Sequence, residues 1–333
     1  MLTLVIIILG ASFILYTLLG GADFGAGIIE TFAGKRGEQT ISKAMAPVWE
    51  ANHVWLILAV VILFTAFPSV YSSLSLVLHI PLMMVLIGII FRGTAFTFRH
   101  YDTVHDSSHK YYTLLFKVSS FITPVFLGIT LGAMILGRIT LEPGVGFYEK
   151  FMRPWLNIFC VTMGIFSASL FGYIAAVFLV GEAREESERK KYVRLSKRSM
   201  LLTMLAGIVV FLTALMEGHY LAKELLHSTT SIFLLLSAFL ASPVIWFYLN
   251  KKKNKTLYLR AIIGIQVSAI LVCWFYIQYP VLIQVKGGGH LTIFNTQAPP
   301  ATLQQLLIAL VTGLILIIPA FMYLFRVFKI KNN

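Results

Sequence analysis

The sequence predicts an all-α polytopic membrane protein with about nine transmembrane helices. Three observations carry this. The 333 residues are 58% hydrophobic and only 12% charged, with a mean hydropathy of +0.83, whereas a soluble domain carries about a quarter charged residues. The apolar residues fall into runs of the length, about 20 residues, that a bilayer-spanning helix needs. The basic residues cluster in alternate loops, as the orientation of a membrane protein demands. A formal charge of +13 could suit nucleic acid, but it sits in short loops between apolar runs, so nucleic-acid binding is excluded. The whole chain, 1–333, reads as one integral membrane domain.

The apolar runs place the spans at roughly 2–29, 51–67, 73–97, 117–137, 154–180, 200–217, 230–249, 259–282 and 302–326. Loops after odd-numbered spans, with the C-terminus, hold 21 of the 27 basic residues; loops after even spans hold only Arg138, Lys150, Arg153, Lys223 and Lys286, and Arg92 lies within a span. A miscounted span would scramble that alternation. The C-terminus is therefore expected in the cytoplasm and the N-terminus outside. The first run starts at Leu2 without a basic leader, so no cleaved signal is expected.

Span one ends in GGADFGAGIIE, where small residues surround Asp23 and let helix backbones approach closely. Asp23 and Glu30 are seven residues apart, two turns, and share a face. Next comes APVWEANHVWLIL, which crowds Trp49, Glu50, Asn52, His53 and Trp55 into the mouth of span two. Pro47 suits a first helical turn, and Glu50 is spaced to meet His53 at i,i+3. Such a pair either relays protons or caps the helix at headgroup level. Span three carries His79, beside Pro81 at its outer end, and Arg92; Arg92 and Arg99 are again seven apart and on one face, which points to a carboxylate or another anionic partner.

The following loop contains His100, His105 and His109. The last two are i,i+4, but no third ligand accompanies them, so a solvated loop is expected and no metal. The most charged segment, GEAREESERKKYVRLSKR, reads as a cytoplasmic extension of span five supported by Glu185/Arg189 and Glu186/Lys190 pairs, with its basic end against anionic lipid. Span six closes on a polar EGHY, residues 217–220, and Lys286–Gln297 contains three glycines and reads as a flexible turn. Cys160 and Cys273 lie inside apolar runs as buried free thiols.

The segments LLGGADFGAGI, APVWEANHVWLIL, LFTAFPSVY and FRGTAFTFR, in that order over the first hundred residues, resemble subunit II of the cytochrome bd-type quinol oxidases. The resemblance implies two four-helix bundles, about 1–140 and then 141 onward, with a peripheral helix. It implies a partner subunit I that carries haem b and haem d-type groups and oxidises quinol, in a bacterial or archaeal cell membrane. Dioxygen would be reduced to water with cytoplasmic protons, generating a proton gradient. It further implies a possible small single-span accessory subunit and, in some members, a structural quinone against this subunit.

Carried over residue by residue, Asp23 matches the second acid of the family's DGxD motif. Trp49, Glu50, Asn52 and Trp55 match W[acid]GNxxW, and Arg92 and Arg99 match FRxxxFxxR. The implied proton path is Asp23, Glu50 and His53. Trp49, Asn52, Trp55, Arg92 and Arg99 are implied structural, quinone or subunit contacts. The chain departs from the pattern at Gly20 and Thr97, where acids are expected, at Glu50 for aspartate, and at Ala51 for glycine. No catalytic group and no haem is expected on this chain itself. Two other classes compete. A proton- or ion-coupled transporter would use Asp23, Glu50, His53 and Arg92, but only span one has a glycine-rich break. A haem carrier would use His53, His79 or His219, whose spacing repeats nowhere.

Overall fold

The computed structural model describes residues 1–101, 108–183, 185–218, 220–251 and 256–327. Nine helices among them are long and apolar enough to cross a membrane: Leu2–Met45, Trp49–Ala66, His79–Tyr101, His109–Ile135, Ile158–Leu179, Glu186–Met216, Thr229–Leu249, Thr256–Gln278 and Pro300–Leu324. They match the nine expected spans in order and are numbered one to nine here. His105, Arg184, His219, Lys252, Lys253, Lys255, Lys329 and Lys331, which enter the expectations above, lie outside the described residues.

Span one packs against spans two, four and five; span three packs on four, four on five, five on six, and seven on eight. Span nine lies against spans one and two and is largely exposed. Small residues allow the tight crossings. A Cβ at Gly25 would overlap the Phe171 carbonyl of span five, and one at Gly27 would overlap the Ser120 side chain of span four. That is the close helix approach that small residues permit in lipid.

Three expectations are corrected. The basic stretch after residue 29 is helix rather than loop: span one runs on to Met45, broken only at Gly34, whose φ of 72° a side chain would resist. Beyond the break Gly37, Ile41 and Met45 are buried at four-residue spacing, so the extension is amphipathic although its mean hydropathy falls. The charged segment extends span six, not span five. Its helix starts at Glu186, with Glu185 in extended conformation before it and Glu186 and Glu188 in the first turn, where acids complement the helix N-terminus. Consequently Arg189 pairs with Glu186 at 3.4 Å, and Glu185 reaches Arg36 of the span-one extension at 3.2 Å.

Lastly, the glycine segment is a built hairpin. Strand β1, Val281–Ile283, pairs antiparallel with β2, Leu291–Thr292, through Gly287, Gly288 and Gly289, all at positive φ. Lys286 in this hairpin and Arg153 after span four both bind Glu149, at 2.7 and 2.6 Å. Those two hydrogen-bonded cations hold the Glu149 carboxyl well below the usual range, at about 2. Cys160 and Cys273 are buried free thiols.

Candidate functional site

The polar residues of spans one, two and three converge inside the fold. Span one contains a wide turn at Tyr16–Gly20, of the i→i+5 kind that often marks functional positions, and Asp23 follows it. Asp23 is buried, and Asn52 Nδ2 donates to its Oδ2 at 2.6 Å and lies 3.5 Å from the Leu19 carbonyl. Those two acceptors fix the orientation of the Asn52 amide. Its Oδ1 is buried without a partner among the described residues.

Arg92 of span three is 1% exposed. Its guanidinium lies 4.6 Å from the Phe24 ring and 5.6 Å from the Phe116 ring. Asp23 is the leading negative charge acting on it. Cation–π contact is worth about 2 kcal/mol or more when desolvated, and with a carboxylate nearby it accounts for an arginine at this depth. His53 sits between Tyr16 and Phe24, with ring centroids at 6.2 and 5.8 Å, and its Nδ1 is buried without a partner among the described residues. Asp23, Asn52, His53 and Arg92 thus form one cluster around Phe24.

A second rung of charge lies farther along the same two helices. Arg99 binds Glu30 at 2.7 Å, with side-chain exposures of 6% and 0%. Lys117 stands 3.8 Å from Glu30, Glu38 stands 3.7 Å from Arg99, and Arg99 lies over the Phe116 ring at 4.4 Å. Glu30 is the functional-site residue that the sequence reading did not select. The signal was present: Asp23 and Glu30 share a seven-residue spacing with Arg92 and Arg99.

The tryptophans pack rather than react. Trp49 lies 5.4 Å from the Phe96 ring, and buried Trp55 lies 5.6 Å from Phe321 of span nine. Glu50 stands apart. It is exposed, and its carboxylate forms no hydrogen bond or ion pair with the described residues. The expected Glu50–His53 side-chain pair is absent there, because residues 49–52 form a separate turn before the main helix of span two begins at Val54, and the two residues meet only through the His53 N–H and the Glu50 carbonyl. His79 Nδ1 is 2.9 Å from the Leu76 carbonyl, His100 Nδ1 is 3.2 Å from the Ser42 hydroxyl, and His290 Nδ1 accepts the Val285 N–H.

A cavity of about 180 Å³ opens beside the cluster, lined by Asp23 and Asn52 at one end and by Glu182 and Arg260 at the other. A larger apolar cavity of about 410 Å³ lies between spans one and eight, against Phe13, Trp274 and Phe275.

Comparison with known proteins matches residues 1–328 to the family model described as cytochrome bd terminal oxidase subunit II. Cytochrome bd ubiquinol oxidase subunit 2 of Bacillus subtilis (strain 168) is 26% identical over 48% of this chain and 47% of that protein. Cytochrome bd-I ubiquinol oxidase subunit 2 of Escherichia coli (strain K12) is 27% identical over 39% of this chain and 35% of its own. These two alignments span less than half of those relatives. The putative cytochrome bd menaquinol oxidase subunit II of B. subtilis (strain 168) is 24% identical over 97% of this chain and 93% of that protein. A solved chain of the bd oxidase from Geobacillus thermodenitrificans has the same fold, with a TM-score of 0.79 at 22% identity, covering 99% of this chain and 98% of that one.

Proposed function

This chain belongs to the cytochrome bd terminal oxidase subunit II family, and from that membership we propose that it is the second subunit of a respiratory quinol:oxygen oxidoreductase that reduces dioxygen to water. The family match along residues 1–328 carries the reading; it gives the transporter alternative no support. In this reading subunit I holds haem b and the d-type haem and oxidises the quinol. The present chain supports its assembly and helps to deliver protons. Among the described residues His79, His100 and His290 each have a protein partner nearby. The apolar cavity between spans one and eight has the size and lining for a quinone tail.

The proton-handling residues we assign are Asp23 and His53 in the buried cluster, with Glu50 as a surface acceptor on the rim of span two. Asp23 is the group suited to carry a proton inward. It is a buried carboxylate that accepts a hydrogen bond from Asn52 and shares its cluster with a buried cation, Arg92. The basic loops support an N-terminus outside and a C-terminus in the cytoplasm, in the cell membrane of a bacterium or archaeon. The two bundles would divide near residue 140, with span nine peripheral. A small single-span accessory subunit would be a further partner.

Affinity purification of the tagged full chain from its own membranes tests the class. A haem-bearing partner with quinol-dependent oxygen consumption is expected. A haem-free preparation that consumes no oxygen would overturn it, and a haem spectrum from the chain purified alone would reassign the haems.

A further inference from the structure

We infer that the cavity between Asp23 and Glu182 is a water-filled vestibule through which protons reach Asp23, and that the Glu182–Arg260 ion pair is its mouth. The inference rests on the oxidase reading and assigns a function to two residues that neither the motifs nor the family resemblance singled out.

Four helix ends build the cavity: the inner half of span one, the start of span two, the end of span five and the start of span eight. All four lie on the side that the basic loops assign to the cytoplasm, where protons for oxygen reduction are drawn. Arg260 enters span eight from that side. It binds Glu182 at 2.9 Å and also donates to the Phe178 carbonyl at 3.0 Å, at the end of span five, where the Gly181 N–H bonds to the same oxygen. The pair is partly exposed, 30% and 25%, so bulk water touches it. At the inner end Asn52, 97% buried by its 3% exposure, holds Asp23.

The polar atoms on the wall call for water. Asn52 Oδ1 and Arg260 Nε are both buried without a partner among the described residues, and a buried donor or acceptor left unpaired is unfavourable. They belong to residues at opposite ends of one cavity of about 180 Å³, which holds on the order of six waters at ~30 Å³ each. A cavity that is polar at both ends and large enough meets the conditions for ordered water. Its sides are apolar, Ala22, Ala26, Ala175 and Leu179 among them, so the waters bond chiefly to each other and to the two ends. In the proposed step the Glu182 carboxylate takes a proton from bulk water, which loosens its bond to Arg260. The proton passes along the waters to the Asp23 carboxylate, and ionised Glu182 then closes on Arg260 again.

Two kinds of experiment test this. A cryo-EM map of the wild-type complex that resolves ordered water is expected to show density linking Asn52 Oδ1 to Arg260 Nε; a dry cavity, or one filled by a partner side chain or lipid, would overturn the inference. Glu182→Gln removes the acceptor, and Ala22→Leu plugs the cavity without touching a charge. Each is expected to lower oxygen consumption about tenfold or more, with a raised solvent deuterium isotope effect. Haem content and the rate of haem reduction by quinol should be unchanged, and Glu182→Asp should keep most of the activity. Wild-type turnover in both variants would sink the vestibule while leaving the oxidase reading intact. Absence of quinol-dependent oxygen consumption in the wild-type complex would instead sink that reading. If a variant does not assemble, the water map decides.

Discussion

Glu30 and Arg99 form a deeply buried ion pair, and its removal in halves gives a quantitative test of the charge ladder. Arg99→Met leaves the Glu30 carboxylate, 0% exposed, with only Lys117 at 3.8 Å. Glu30→Gln leaves Arg99, 6% exposed, with only Glu38 at 3.7 Å. Breaking a buried pair from one side costs about 3–5 kcal/mol, because a charge remains without its partner. The second-nearest charges, each about 1 Å farther away, place both single variants near the low end, about 3 kcal/mol. The double variant leaves neither charge behind. Its cost should be about 3–4 kcal/mol rather than the ~6 of additivity, a coupling of about 2–3 kcal/mol. Arg99→Lys keeps the charge but loses the flat guanidinium over Phe116, 4.4 Å away, and should cost about 1 kcal/mol. Unfolding of the purified complex in a denaturing-detergent titration, followed by tryptophan fluorescence, reads all four. Strict additivity, or single losses below about 1 kcal/mol, would show that the pair is solvated and the ladder is not structural.

Other outcomes follow from placement. Asp23→Asn keeps the shape and hydrogen bond to Asn52 but cannot carry a proton, so oxygen consumption should fall by about a hundredfold with haem content retained; normal turnover would remove Asp23 from the path. Glu50→Gln should cost much less, because exposed Glu50 can be replaced by water, and equal losses in the two variants would mean that a partner buries Glu50. On the outer face, the Glu149 carboxyl is held at about 2 by Arg153 and then Lys286. A depressed folded value means that its tie to the hairpin is intact above the unfolded value of about 4.3 and is lost as pH falls toward 2. Protection of the hairpin amides from hydrogen exchange should therefore persist at pH 4, and loss already at pH 5 would refute the tie. For orientation, a cysteine replacing exposed Glu142, after span four, should react with an impermeant thiol reagent from outside, and a reporter fused to the C-terminus should be cytoplasmic; the reverse pattern would invert the topology. Glu142 serves better than Gly288, whose φ of 102° resists any side chain.

Hydropathy states which residues lipid must cover, so the nine spans are legible without coordinates. What it cannot see is helix that continues into water. The span-one extension past Gly34 buries Gly37, Ile41 and Met45, and at Gly37 it meets buried Tyr192 near the start of span six. That is tertiary packing, and the local signal, three basic residues and two glycines between 34 and 43, argues for a loop. The start of span six was readable: Glu185, Glu186 and Glu188 precede Lys190 and Lys191, acids before bases, which is the order a helix N-terminus favours. Glu182 and Arg260 are 78 residues apart, and no spacing rule joins them. Their pairing follows only from how spans five and eight meet.

The ladder itself follows from two facts available in the sequence, once they are combined. Spans one and three are both odd-numbered and therefore cross in the same direction. Asp23 and Glu30 on the first, Arg92 and Arg99 on the third, each advance seven residues, about 10 Å along a helix. Parallel helices with equal steps can match both pairs at once only in one register. A shift by a single turn would set Arg92 level with Ala26 and Gly27, with no carboxylate, and would leave Glu30 without Arg99. Burying either charge alone is far costlier than any gain in apolar contact from such a slip. The two rungs therefore act as a register lock that places Asp23 against Asn52. The lock predicts that exchanging the charges of the second rung, Glu30→Arg with Arg99→Glu, should retain assembly better than either single exchange, because opposite signs still meet. Lys117 and Glu38 would then each face a like charge, at distances now of 3.8 and 3.7 Å, so recovery should be partial. A double exchange that assembles no better than the singles would mean that packing around Phe116, not charge, sets the register.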